Sequence, residues 1–332
     1  MNNSSSIEEV VVTENGEVYN PIEIGIVSLI LKIVCCSIGI PLNISIAVAI
    51  TRLRRMHRKP RNFFLLAIIL SYLSFFIDSI IQLLYWGLHP DVSLCHAYVA
   101  TIFVPQGLLL INMLLALIDR YLAINHPLLH REKMTKRLAC CLVVTCWILT
   151  TFLFKFMYIV GLDILRCEIL LLQVKTATIL FIILFGSCTA MNIVIYRQTK
   201  ILLRESRTVE ATRDEGTRVS NDSDTTNNQH STVVSPMSIH VGRKKLGQLE
   251  MEATHTLVIS MTSLCVMPFL NFVFMATFFA CRLVFGQLEC SNLNGMGYLI
   301  KEISLIPAIY GPIIFLVRNK ELRAAWTCQI IR

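Results

Sequence analysis

The chain has 332 residues, 55% of them hydrophobic and only 16% charged, with a net charge of +8 and a mean hydropathy of +0.63. Water-soluble domains are nearer a quarter charged, so the apolar excess needs lipid as its solvent. The positive charge is clustered in short runs, which reads as membrane topology and excludes a nucleic-acid-binding chain.

Residues 1–23 carry five acids (Glu8, Glu9, Glu14, Glu17, Glu23) and no Lys or Arg. This polar start is not a cleavable signal peptide, so the first apolar run must direct insertion. Asn2-Asn3-Ser4-Ser5 holds two overlapping glycosylation sequons, at Asn2 and Asn3. Seven apolar stretches then reach the roughly 20 residues a bilayer span needs: about 24–51, 63–87, 95–118, 137–160, 170–196, 254–281 and 295–317. The expected fold is an all-α membrane protein, a seven-transmembrane helix bundle with a short amphipathic C-terminal helix. The third and seventh stretches are the weakest: one holds Pro105, Gln106 and Asn112, the other Lys301, Glu302 and Pro307. Bundle interiors tolerate such residues and lipid does not.

Basic residues fill the first, third and fifth connections (Arg52 to Arg61, His130 to Arg137, Arg197 to Lys245) and the tail (Arg318, Lys320, Arg323). Basic loops stay in the cytoplasm, so the reading is a multi-pass plasma-membrane protein with an extracellular N-terminus and a cytoplasmic C-terminus. The segments are an extracellular tail at 1–23, a membrane domain at 24–317 with a disordered cytoplasmic loop at about 205–246, and a cytoplasmic amphipathic helix and tail at 318–332. Leu322 and Trp326 share one face of that last helix, which is expected to lie on the inner leaflet. Cys328 there is a palmitoylation candidate, with an unmodified thiol as the alternative.

Most of the twelve cysteines sit inside apolar runs and read as small packing residues. Cys95 and Cys167 fall on the same, oxidising outer face, and a disulfide between them is expected. Cys281 and Cys290 flank the last outer loop, where a second bridge and two free thiols are both open. No Cys/His group has zinc spacing, and no phosphate loop or GxSxG occurs, so neither metal, cofactor nor enzyme chemistry is read here.

The third stretch ends in Asp119-Arg120-Tyr121, then Asn125-His126-Pro127. Charge is expensive in hydrocarbon, so this pair either leaves the bilayer or faces the bundle interior. Cys95 lies 25 residues before Arg120. Other marks fall in register along the spans: Gly39-Ile-Pro-Leu-Asn43, Asn62-Phe-Phe-Leu, Trp147, Tyr196, Cys265-Val-Met-Pro268 and Ile306-Pro307-Ala-Ile-Tyr310. Together they resemble the rhodopsin-like G-protein-coupled receptors over about residues 20–328. The resemblance implies a receptor that turns binding of an extracellular ligand into activation of a heterotrimeric G protein, with arrestin and receptor kinases as further partners. It implies a switch made of Asp119, Arg120, Tyr121, Tyr196, Pro268, Pro307 and Tyr310, with Arg120 held by Asp119 at rest.

The departures are specific. The family's sodium-binding aspartate is Tyr72 here, its seventh-helix asparagine is Ile306, its toggle tryptophan is Val266 and its fifth-helix proline is Cys188. No sodium site is expected. The aspartate of amine receptors, 18 residues before the arginine, is Ile102, so the ligand is not expected to be an amine. The implied ligand pocket is largely apolar, with Ile102, Phe103, Gln106, Asn271 and Lys301. Asp78 and Lys301 each stand about 9 Å from the Tyr72 and Pro307 levels on neighbouring helices, which suggests an Asp78–Lys301 pair with Glu302 deeper. That group is either a structural charge pair or a ligand contact. Lys155 and Lys175 either attract an acidic ligand or snorkel to the interface, and snorkelling is the expected role. Odorant-receptor-like stretches make a chemosensory receptor an alternative. A transporter and a non-signalling receptor-like protein are the others.

Overall fold

The computed structural model describes residues 26–52, 60–87, 92–160, 171–220, 302–303, 305–319, 322–324 and 326–327, with positions 269, 273, 277 and 281. Of the predicted positions, Asn2, Asn3, Cys167, Pro268, Asn271, Cys290, Lys301 and Cys328 lie outside the described residues.

Eight helices make up this part: α1 (Ile26–Arg52), α2 (Pro60–Gly87), α3 (Val92–Thr101), α4 (Val104–Asn125), α5 (Pro127–Lys133), α6 (Lys136–Val160), α7 (Leu171–Ser220) and α8 (Pro307–Arg318). Among the described residues, five helical segments are long and apolar enough to cross a membrane. They pack as a bundle in which α4 is central, touching α2, α6 and α7, while α1 packs on α2 and α8. The core is a continuous apolar cluster that includes Ile46, Phe64, Ile69, Tyr72, Phe76, Met113, Leu117 and Ile195. Large side chains such as Ile148 and Ile183 point outward instead, as expected where lipid rather than water surrounds the helices.

The predicted third span is two helices. α3 ends at Thr101, Phe103 takes a left-handed backbone (φ 71°), and α4 begins at Val104. The cause is local. Pro105 lacks the N–H that Thr101 O would accept in an unbroken helix, and its ring crowds the preceding turn. α4 then continues past the expected end at 118 to Asn125, so Asp119 and Arg120 lie within a helix, and Asp119 is buried. Of the two placements expected for the pair, the structure gives Asp119 the bundle interior.

The same backbone chemistry recurs before α8. Pro307 cannot donate to Ile303 O, and Ile306 N donates to it at 3.1 Å, tightening the chain ahead of Pro307. α7 runs to Ser220, into the stretch from about 205 that was expected to be disordered.

The C-terminal amphipathic stretch differs from its expected place on the lipid surface. Leu322 is fully buried in the core cluster, and Trp326 Nε1 donates to Ser45 Oγ on α1 at 3.0 Å. Asn319 Oδ1 accepts from Leu322 N at 3.2 Å and starts this turn. The Leu322–Trp326 face is turned to the bundle instead, with Leu322 in its core and Trp326 on its first helix.

Candidate functional site: the Arg120 end and two buried polar layers

Asp119 occupies the last third of α4 and is 3% exposed in its side chain. A buried carboxylate needs a donor. His130 Nε2, from the short helix α5, meets Asp119 Oδ1 at 2.8 Å. The turn at His126, with Pro127 at the first position of α5, folds His130 back toward the bundle. Asn125 Nδ2 donates to Gln198 Oε1 at 2.9 Å and ties α4 to α7 at the same end. Arg120 and Tyr121 are half-buried beside this link. Tyr196 is 45% exposed, and Tyr310, on α8, is half-buried. His130 was counted in the sequence only among the basic residues of its loop. The turn at His126-Pro127 puts Asp119 and His130 on different helices, so no helical spacing pointed to the contact.

Midway through the bundle lies a layer of neutral amides. Asn43 Nδ2 donates to Gly39 O and to Ala308 O, both at 2.8 Å, and so joins α1 to α8. Asn112 Nδ2 donates to Ser71 Oγ at 2.7 Å and Ala67 O at 3.3 Å, while its Oδ1 accepts Trp147 Nε1 at 3.0 Å. One side chain thereby fastens α2, α4 and α6. Cys188, where the family has proline, donates its thiol to Leu110 O at 3.3 Å.

Toward the opposite end the polar layer is charged. Lys32 on α1 bonds Glu302, and both side chains are 3% exposed. Lys32 Nζ also donates to Ser28 Oγ at 2.8 Å. Tyr98 is buried within electrostatic reach of both Asp78 and Glu302, and it shares a hydrogen bond with Gln82. The expected pairing of Asp78 with Lys301 lies outside the described residues. The partner found for Glu302 is Lys32, on α1.

Lys155 overturns its expected role. It does not snorkel: it is buried, and Nζ donates to Val99 O and Ile102 O, both at 2.8 Å, at the break between α3 and α4. Lys175 is exposed. Of the pocket residues, Ile102 is buried, Phe103 and Gln106 are half-buried, and Phe103 meets Phe181 edge-on at 6.4 Å between ring centroids. Cys95 lies in α3, and its expected partner Cys167 is outside the described residues. Cys281 is disulfide-bonded.

The family model described as the seven-transmembrane receptor (rhodopsin family) matches residues 42–315 of the chain. A D(1)-like dopamine receptor of Takifugu rubripes is 27% identical over 117 residues, covering 32% of this chain and 24% of that protein. A D(1B) dopamine receptor of Mus musculus is 28% identical over 117 residues, covering 32% of this chain and 23% of that protein. The chain therefore matches about a quarter of the length of these curated relatives.

Proposed function

The chain belongs to the rhodopsin family of seven-transmembrane receptors, and on that premise we propose that it couples an extracellular ligand to activation of a heterotrimeric G protein. The observation that carries this reading is the buried Asp119 held by His130, with Arg120 beside it at the mouth of the bundle. This is the closed form of a switch. Arg120 and Tyr121 stand where a partner's peptide would enter between α4 and α7, and the Asn125–Gln198 bond spans the same gap.

The mechanism needs two states of different ligand affinity. Each 1.4 kcal/mol of difference shifts their ratio about tenfold. On opening, the α4–α7 contact loosens, Tyr196 turns from the lipid side toward the bundle and Arg120 reaches the G-protein α subunit. The nucleotide chemistry is the G protein's own, and this chain contributes no catalytic group. In this reading the N-terminus is extracellular, the C-terminus is cytoplasmic, and arrestin and receptor kinases act on the same cytoplasmic face.

The ligand is not an amine bound in the manner of the dopamine receptors. Ile102 replaces the carboxylate that such a head group needs, and it lies buried at the break in the third span. The pocket we assign is apolar around Ile102, Phe103 and Gln106. A second bridge, Cys281–Cys290, would brace the last outer loop beside the expected Cys95–Cys167 bridge.

Guanine-nucleotide exchange on a panel of G proteins, in membranes holding the chain or its Arg120→Ala variant, tests this. Exchange above that of empty membranes, abolished by Arg120→Ala at equal surface expression, is the expected result. Exchange that survives Arg120→Ala would overturn the role given to Arg120.

A further inference from the structure

The break in the third span combines three features that a passive kink does not need. Phe103 sits at φ 71°, a left-handed conformation that is strained for a non-glycine residue. Pro105 withdraws one helical donor. A buried lysine from another span then supplies the donors that are missing: Lys155 Nζ bonds Val99 O and Ile102 O at 2.8 Å each. In an unbroken helix Val99 O would accept from Phe103 N and Ile102 O from Gln106 N. Lys155 thus stands in for two backbone bonds. The neighbouring Phe154 fills the space over Gly107, and its ring lies 4.9 Å from that of Phe181.

We propose that Lys155 is a latch on a two-state break in the third span. Engaged, it holds the span bent at Ile102–Phe103. Disengaged, Phe103 and Gln106 recover their helical bonds and the span straightens. Asp119 lies 16 residues beyond Phe103, about 24 Å along the helix, so each 10° of bend, roughly, carries it about 4 Å. The bent span coexists here with a buried Asp119 held by His130. The latched form is therefore the resting form, and Lys155 is a positioning residue for the Arg120 end. This rests on the receptor reading only for its consequence in signalling, since the latch itself is a property of the backbone.

Two readouts on the full chain in lipid nanodiscs test it. Hydrogen exchange in the segment 98–108 reports the backbone directly. Lys155→Met should slow exchange there severalfold, because Phe103 and Gln106 gain helical acceptors. Lys155→Arg should restore the wild-type pattern. Faster or unchanged exchange in Lys155→Met overturns the latch, since a merely structural lysine would leave the break frayed when removed. Phe103→Gly and Phe103→Ala both remove the ring, but only glycine is unstrained at φ 71°. The glycine variant should hold the break more firmly, with faster exchange in this segment and about fivefold less ligand-free nucleotide exchange than the alanine variant. If Lys155→Met fails to reach the membrane, this Gly/Ala pair decides, and equal hydrogen exchange in the two overturns the proposal. If hydrogen exchange changes as expected while no variant promotes nucleotide exchange, the latch stands and the coupling reading falls.

Discussion

The two buried polar layers of the bundle solve one problem with different chemistry. The middle layer uses neutral amides, Asn43 and Asn112, each spending its donors on a backbone carbonyl or hydroxyl of a neighbouring helix. The layer farther from Arg120 uses ions: Lys32 with Glu302, and Lys155 with Asp78 within electrostatic reach. A neutral amide left unpaired in an apolar interior costs little beside an unpaired ion. The amide layer therefore tolerates damage and works as a scaffold. The ionic layer is stable only while its partners stay together, which makes it the part of the molecule able to respond to a change in those partners.

The largest expected effect follows from that asymmetry. Lys32→Met leaves Glu302 buried with its charge uncompensated, and Glu302→Leu does the same to Lys32. Each single change should destabilise by about 3–5 kcal/mol, and the double variant should return near wild type because no charge then remains to be desolvated. Thermal unfolding of the purified receptor in nanodiscs reads this cycle. A double variant as unstable as the singles would mean that the pair is not the electrostatic unit described, and the contrast between the layers would fail.

A smaller effect tests how closely the ionic layer is joined to the packing below it. A methyl group at Gly107 would lie 2.6 Å from Phe154 Cε2, one residue from Lys155. Gly107→Ala should cost about 1–3 kcal/mol through overpacking. Adding Phe154→Leu should recover part of it by removing the ring edge that the methyl meets. If Phe154→Leu recovers nothing, the close approach of α4 and α6 is set elsewhere.

The sequence disclosed most of the scaffold because hydropathy and length decide where a membrane helix starts and stops. All five long apolar segments in the described part were legible that way, and so was the register that joins Asn43, Trp147 and Tyr310 to one family. Three things were not legible. Pro105 was visible as an irregularity, but the break it makes needs Phe103 in a left-handed conformation, and a phenylalanine carries no sign of that. Lys155 was visible as a charge, but a lysine near a helix end has the length either to reach the interface or to turn inward, and only the carbonyls of Val99 and Ile102, released by the break, decide. Lys32 and Glu302 were visible singly. Their pairing depends on how the first and seventh spans rotate about their axes, and two short patterns 270 residues apart do not encode that rotation.

The smallest predicted effect is also the sharpest test of the opening contrast. Asn112→Leu removes bonds to Ser71, Ala67 and Trp147 at once, and a simple count of three contacts between helices would make it as harmful as breaking the Lys32–Glu302 pair. The expected cost is only about 0.6–1.7 kcal/mol, for two reasons. Leucine is close to asparagine in volume and fills the site without leaving a cavity. The groups left behind are also uncharged: the Ser71 hydroxyl can turn to the carbonyl of Ala67, to which it already donates at 3.0 Å, and the Trp147 N–H is half-buried at the edge of the bundle. Unfolding of Asn112→Leu beside Lys32→Met, in the same nanodiscs, should show the single lysine change to be more costly than the loss of all three asparagine contacts. Equal costs would mean that connectivity between helices, and not charge, governs stability in this bundle. The ionic layer would then have no special claim to be its responsive part.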